Sequence, residues 1–253
     1  MDSKLSASEK MVFRASLELT NEDVVFVGIG LPNLACNLAR QTHAPDLFMI
    51  YESGAVGAVP DRLPVSIGDP CLVTGAISVV SQSDIFHGFL QRGNIQVGFL
   101  GGAQIDRYGN INTTVVGDYD QPQVRLPGSG GACEIATHSE KILIVMKMSP
   151  RSFVKECDFV TSPGHRYQGK TRKELGLPGG GPSKVITDLG VCDFIEGEMT
   201  LTEIYPGVKE EDVQKACGWD LKISDSLKEI ELPSSQILTL LRDELDPQRL
   251  YLK

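Results

Sequence analysis

The chain has 253 residues, a formal net charge of -9 and a pI near 5.0, with 41% apolar and 23% charged residues. This is ordinary globular usage. No apolar run reaches the roughly 18 residues of a membrane span, and no Lys/Arg cluster offers nucleic acid a basic face. An anionic ligand would therefore have to be met by local backbone N–H groups, a few basic side chains or the charge of a partner.

In chain order, residues 1–5 read as a frayed start with no basic stretch leading into an apolar one, so no secretory signal is expected. Ser6-Ala7-Ser8-Glu9 reads as a capping box, followed by Val12, Ala15, Ser16 and Leu19 on one helical face. Val24-Val25-Phe26-Val27 is a short buried strand that runs through Gly28-Ile29-Gly30 into a helix, with Pro32 suited to its first position. Leu47 to Tyr51 is a second apolar strand, stopped by Glu52-Ser53-Gly54. Apolar strands alternating with helices imply a mostly parallel sheet covered on both faces.

Further on, Ser83 to Gln91 reads as a helix and Ile95 to Leu100 as a strand, and Tyr108-Gly109-Asn110 separates two extended segments. A glycine cluster, Pro127-Gly128-Ser129-Gly130-Gly131, precedes a helix, and Lys141 to Met146 is again a strand. The Gly/Pro run 176–182 reads as a surface or interface loop. Lys184 to Phe194 and Met199 to Ile204 read as strands split at Gly197, and Lys209 to Ala216 and Ser234 to Leu245 as amphipathic helices. With no linker or repeat, a single domain over 1–253 is expected. The six cysteines lack metal or redox spacing and read as reduced thiols of a cytoplasmic protein.

Four places carry the residue types of chemistry. Glu52 stands where an apolar strand ends, the edge at which ligands of open parallel sheets bind; its bland reading is a solvated loop acid. Gly28-Ile29-Gly30 resembles the start of a dinucleotide fingerprint, with Glu52 near the place of a ribose-binding acid. Asn33 stands where the third glycine belongs, and a tight turn or a helix N-terminus facing an acyl or phosphate oxygen fits as well. The Gly128 to Gly131 run allows close backbone approach and oxyanion donation, or is a flexible loop. Its Ser129 lacks the flanks of a serine-hydrolase elbow. Gly101 to Asn112, with Asp106, Arg107 and Asn110, either folds a turn or lines a pocket.

Taken in order, Val27-Gly28-Ile29-Gly30-Leu31-Pro32, Tyr51-Glu52-Ser53-Gly54, Gly101 to Asn112, Gly117-Asp118-Tyr119 and Pro127 to Ala132 resemble the B subunit of family I CoA-transferases, of the glutaconate and 3-oxoadipate types. The likeness runs from about residue 8 to Asp246-Pro247. It implies an open three-layer α/β/α domain, a separate A subunit, and an active site closed between the two. The family's catalytic glutamate falls on Glu52 and its oxyanion glycines on Gly130 and Gly131, with Gly28 and Gly30 beside the acyl-CoA.

The implied reaction passes CoA between carboxylates through a mixed anhydride and a glutamyl-CoA thioester, with CoA as substrate and no permanently bound cofactor or metal. Hydrolases and a decarboxylase share this scaffold but lack the glutamate, which this chain keeps. Tyr51 to Gly54, Gly98 to Gly101 and Asn112 to Tyr119 lean toward the 3-oxoadipate type.

Overall fold

The computed structural model describes residues 5–252; of the expected frayed start, residues 1–4 lie outside the described residues. The chain gathers into two compact units. One takes the chain up to Phe99 and again from Glu231, and the other spans Leu100–Ile230.

In the first unit the capping box forms as read. The Ser6 hydroxyl accepts the Glu9 N–H at 3.2 Å and the Glu9 carboxylate accepts the Ser6 N–H at 2.8 Å, opening α1 (Ala7–Ser16). Leu19 is buried beyond the helix end. Strand β1 (Val24–Val27) leads into α2 (Leu31–Gln41), which seats Leu34, Leu38 and Ala39 in the core. Pro32 stands one residue inside this helix, where its missing N–H still costs no bond.

Strand β2 (Phe48–Tyr51) lies parallel to β1 in the register Val27↔Tyr51. The chain then reverses through two short antiparallel strands, β3 (Ala55–Val56) and β4 (Ser78–Val79). A short helix, α3 (Gln82–Asp84), continues as a π-helical stretch over Ile85–Leu90, in which the Gln91 N–H reaches back five residues to the Phe86 carbonyl. The expected helix over 83–91 is thus present with a wider turn over most of its length. Strand β5 (Val97–Leu100), also parallel to β1, closes the unit's run of buried strands.

The returning C-terminal segment is tied to α1 by charge. Arg242 donates to both carboxylate oxygens of buried Glu9, at 2.5 and 3.0 Å. That pairing, opposed by burial and helped by the Ser6 N–H, holds the Glu9 carboxyl below the usual glutamate range. A depressed folded pKa means the stabilisation is present above the unfolded value, about pH 4.3, and is lost as pH falls through the lower folded value. Glu9→Gln should therefore cost about 1–2 kcal/mol at neutral pH. The gap in Tm between the two proteins, followed by thermal unfolding, should close below about pH 4; a gap independent of pH would contradict the assignment.

The second unit begins with two hairpins: β6 (Gln104–Ile105) with β7 (Ile111–Asn112), and β8 (Val115–Gly117) with β9 (Pro122–Arg125). Helix α4 (Ala132–His138) and strand β10 (Lys141–Val145) follow, then a small hairpin of β11 (Arg166–Tyr167) and β12 (Lys170–Thr171). Strand β13 (Pro182–Ile186) is parallel to β10 and antiparallel to β14 (Gly190–Ile195).

The stretch 184–194, read above as one strand, is therefore two. Thr187 turns the chain, its hydroxyl taking the N–H groups of Leu189 and Gly190 at 3.1 and 3.0 Å. Strand β15 (Glu198–Ile204) pairs antiparallel with β14, α5 (Glu210–Lys215) crosses over, and β16 (Lys222–Glu229) lies parallel to β15. Back in the first unit, α6 (Ser235–Thr239) runs into a second π-helical stretch, Leu240–Leu245. The expected α/β class holds: β1 runs parallel to β2 and β5 in the first unit and β10 to β13 in the second, with helices flanking them, antiparallel pairs beside them and a last parallel pair, β15 with β16.

Candidate active site

Because β1 and β2 are parallel and end level at Val27↔Tyr51, Gly28 and Glu52 are the next residues at the same carboxyl edge. This is the edge where open α/β sheets bind ligands. Gly30 has φ +95° and caps α2, a conformation that favours glycine. A Cβ at Gly28 or Gly30 would have no described atom within 4 Å beyond its chain neighbours. The space over both residues is open for something else to approach.

Glu52 is half-buried and occupies the second position of a turn closed by the Gly54 N–H on the Tyr51 carbonyl at 2.9 Å. Gly54 is required twice over. Its φ is +111°, and a Cβ there would stand 2.1 Å from the Val80 carbonyl oxygen. Its own carbonyl accepts the Val80 N–H at 3.0 Å. That junction carries the start of α3 up to the acid, and the Gln82 side-chain amide donates to Glu52 Oε1 at 3.2 Å.

Asn33, read above as a lost glycine, is fully buried, and its amide donates to the Tyr51 hydroxyl at 2.7 Å. Burial pushes the Tyr51 phenol pKa up, so it stays neutral and able to accept. The helix–strand contact that a fingerprint glycine would make is replaced by a polar tether immediately before Glu52. This removes the dinucleotide reading of Gly28-Ile29-Gly30.

The Gly128 to Gly131 loop lies in the second unit. Gly128 is held in both directions by Thr113, whose carbonyl accepts its N–H and whose hydroxyl donates to its carbonyl, both at 2.8 Å. Gly130 has φ +49°, and Gly131 caps α4. Neither N–H donates to another described residue. The loop is therefore anchored at one end and bears free donors at the other, not the flexible loop of the bland reading.

The far end of α4 is pinned by Arg172, 8% exposed, whose guanidinium donates to the carbonyls of Ala136, Thr137, Pro163, Gly164 and Gly179 at 2.9–3.3 Å. Cation and helix C-terminus suit one another. Residues 176–180 of the Gly/Pro run are exposed or half-buried and Gly181 and Pro182 are buried; the run is bonded to this knot, with the Gly179 and Gly180 N–H groups on the Thr137 and Ser139 carbonyls. Nothing in the spacing of Arg172 from these partners marks it in the sequence.

The Gly101 to Asn112 segment does both things it was read to allow. Asp106 accepts the N–H groups of Tyr108 and Asn110 and the Asn110 amide, making the turn, and burial raises its pKa against those donors. Arg107 and Tyr108 line a cavity of about 690 Å³ with Lys155, Asp158 and Arg166. All six cysteines are unpaired, and burial raises the thiol pKa of Cys36, Cys157 and Cys192. No described helix is long and apolar enough to cross a membrane.

A carboxylate just past the carboxyl end of a parallel strand, beside a glycine turn, stands at the edge where open α/β sheets bind ligands. Residues 8–216 match the coenzyme A transferase family model, and the chain belongs to that family. It is 50% identical over 242 residues to the B subunit of the 3-oxoadipate CoA-transferase of Pseudomonas knackmussii, covering 95% of this chain and 93% of that one. It is 39% identical over 244 residues to the B subunit of the glutaconate CoA-transferase of Acidaminococcus fermentans, covering 93% and 91%. The crystal structure of the latter enzyme superposes with a TM-score of 0.91, at 36% identity over 99% of this chain and 98% of that one. The decarboxylase AibA/AibB shares the fold at TM-score 0.84 and 24% identity, over 98% of each chain.

Proposed function

We propose that the chain is the glutamate-bearing B subunit, one domain over 1–253, of a two-subunit CoA-transferase that moves CoA from an acyl-CoA to a dicarboxylic acid. The carrying observation is the seat of Glu52, at the end of β2 level with Gly28 and held by Gln82. The acid is of the 3-oxoadipate type, following the 50% identical relative, with the glutaconate type as the neighbouring choice.

A carboxylate is a weak nucleophile, so covalent catalysis divides the exchange into steps of lower barrier. Glu52 attacks the acyl-CoA thioester and gives a mixed anhydride and CoA thiolate. The thiolate attacks the glutamyl carbonyl and leaves a glutamyl-CoA thioester. The second acid runs the sequence backwards. Gly130 and Gly131 supply N–H donors for an oxyanion, each such donor being worth roughly 3–4 kcal/mol in a dry site. Gly28 and Gly30 leave room for the acyl-CoA. CoA is a substrate and no resident cofactor is needed.

A partner of the A type supplies what this chain lacks. The net charge of -9 leaves the phosphates of CoA in want of positive charge. Val59, Val65, Ile67, Val73, Ile77 and Val79 are all substantially exposed on the segment between β3 and α3, an apolar content of the kind partners cover. Such cover also keeps water from the anhydride. The unpaired thiols fit a reducing cytoplasm.

Product analysis tests the reading. The paired subunits, given succinyl-CoA with 3-oxoadipate or glutaconate, should produce the CoA ester of the acceptor in step with free succinate. Acyl-CoA consumption that ignores the acceptor would mean a hydrolase, and loss of carbon dioxide from the acyl group a decarboxylase.

A further inference from the structure

The Gln82 amide is brought to Glu52 by a short, fully determined path. The Val80 N–H bonds the Gly54 carbonyl, at a junction too close for any Cβ on Gly54. Ser81 then closes a capping box with Asp84: its hydroxyl accepts the Asp84 N–H at 3.2 Å, and the Asp84 carboxylate takes the Ser81 N–H at 3.2 Å. Gln82 is the first residue of the helix so fixed, and it presents its nitrogen to Oε1, the orientation that avoids setting two acceptors face to face. Nothing in the fold of α3 needs this bond, because the cap is complete without it.

Resting on the covalent reading above, we propose that Gln82 is a catalytic residue: the donor to the oxyanion that forms on Glu52 itself. Glu52 attacks with Oε2, so Oε1 becomes the carbonyl oxygen of both the anhydride and the glutamyl-CoA thioester. Thiolate attack on Cδ of the anhydride places a negative charge on Oε1; the C–Oε2 bond then breaks and the acyl carboxylate leaves with the electron pair. The acceptor carboxylate attacks Cδ of the thioester, again charging Oε1, and the C–S bond breaks with the pair leaving on sulfur. No proton moves in either step. In both, the growing charge falls on the one oxygen that Gln82 already bonds. The bond is long and exposed in the lone chain; exclusion of water would strengthen it when charge develops.

The test is single turnover of the isolated adduct. The two-subunit enzyme is loaded with acyl-CoA, freed of excess donor and mixed with the acceptor acid, and loss of the CoA adduct is followed by intact mass after rapid quenching. Gln82→Ala and the isosteric Gln82→Met should both slow adduct loss roughly 10²-fold. Gln82→Glu, which turns an acceptor toward Oε1, should slow it further. Circular dichroism and Tm should match the parent protein; if the alanine variant does not fold, the methionine variant carries the test. Adduct loss within threefold of the parent overturns the proposal, including the case where only loading is slowed, which marks Gln82 as an orienting residue. If the parent forms no adduct, the covalent reading itself has failed, a distinguishable result that takes the proposal with it.

Discussion

Glu52→Ala leaves a folded chain that transfers no CoA: the expected loss is at least about 10⁴-fold in turnover, the scale on which deletion of a covalent nucleophile acts. Stability should hardly change. Glu52 sits at a half-open turn that is closed by backbone bonds of Tyr51, Gly54 and Val80, and its side chain contributes the one exposed bond to Gln82. Substitutions at such positions stay within about 0.5 kcal/mol, or roughly 2 °C in Tm. Glu52→Gln should be as inactive as alanine, since the amide keeps shape but not nucleophilicity. Transfer in either variant above a tenth of the parent rate would remove Glu52 from the chemistry.

Arg172→Met has the largest expected effect on stability. It keeps most of the buried volume and removes the guanidinium donors from five carbonyls, two of them at the C-terminal end of α4, of which Thr137 keeps the Gly179 N–H. Losing charged hydrogen bonds from a buried knot should cost about 3 kcal/mol or more, a fall of roughly 6–12 °C in Tm. Arg172→Lys should recover little, because one ammonium cannot span carbonyls that a planar fork reaches together. The same knot holds the far end of α4, the helix that Gly131 caps. A methionine variant melting within about 2 °C of the parent would show that the carbonyls find other partners.

What could be read before folding follows from how each element is stabilised. Val24 to Val27 and Leu47 to Tyr51 are buried on both faces and announce themselves as continuous apolar runs. Strand β16 does not: its Lys-Ile-Ser-Asp-Ser-Leu-Lys-Glu sequence is mostly exposed and, among the described residues, pairs with β15 alone. The turn at Thr187 hides inside an apolar stretch, and both π-helical stretches follow helical hydrophobic patterns without betraying their pitch. Glu52 was legible as an acid ending a strand; Gln82, thirty residues on, was not, because the β3–β4 pairing and the Gly54–Val80 contact that bring them together leave no local signal in the sequence. Asn33 misled for a physical reason. A polar residue in place of glycine suggested a poorer helix–strand contact, whereas the buried Tyr51 hydroxyl gives it a partner.

The central claim is that Glu52 carries CoA covalently. Its most direct measurement is the intact mass of this chain after the two-subunit enzyme meets an acyl-CoA with no acceptor present. The account predicts a gain of one CoA less one water, located by peptide mapping on Glu52 and discharged when the acceptor acid is added. Continued transfer to the acceptor with no change in the mass of this chain would contradict it.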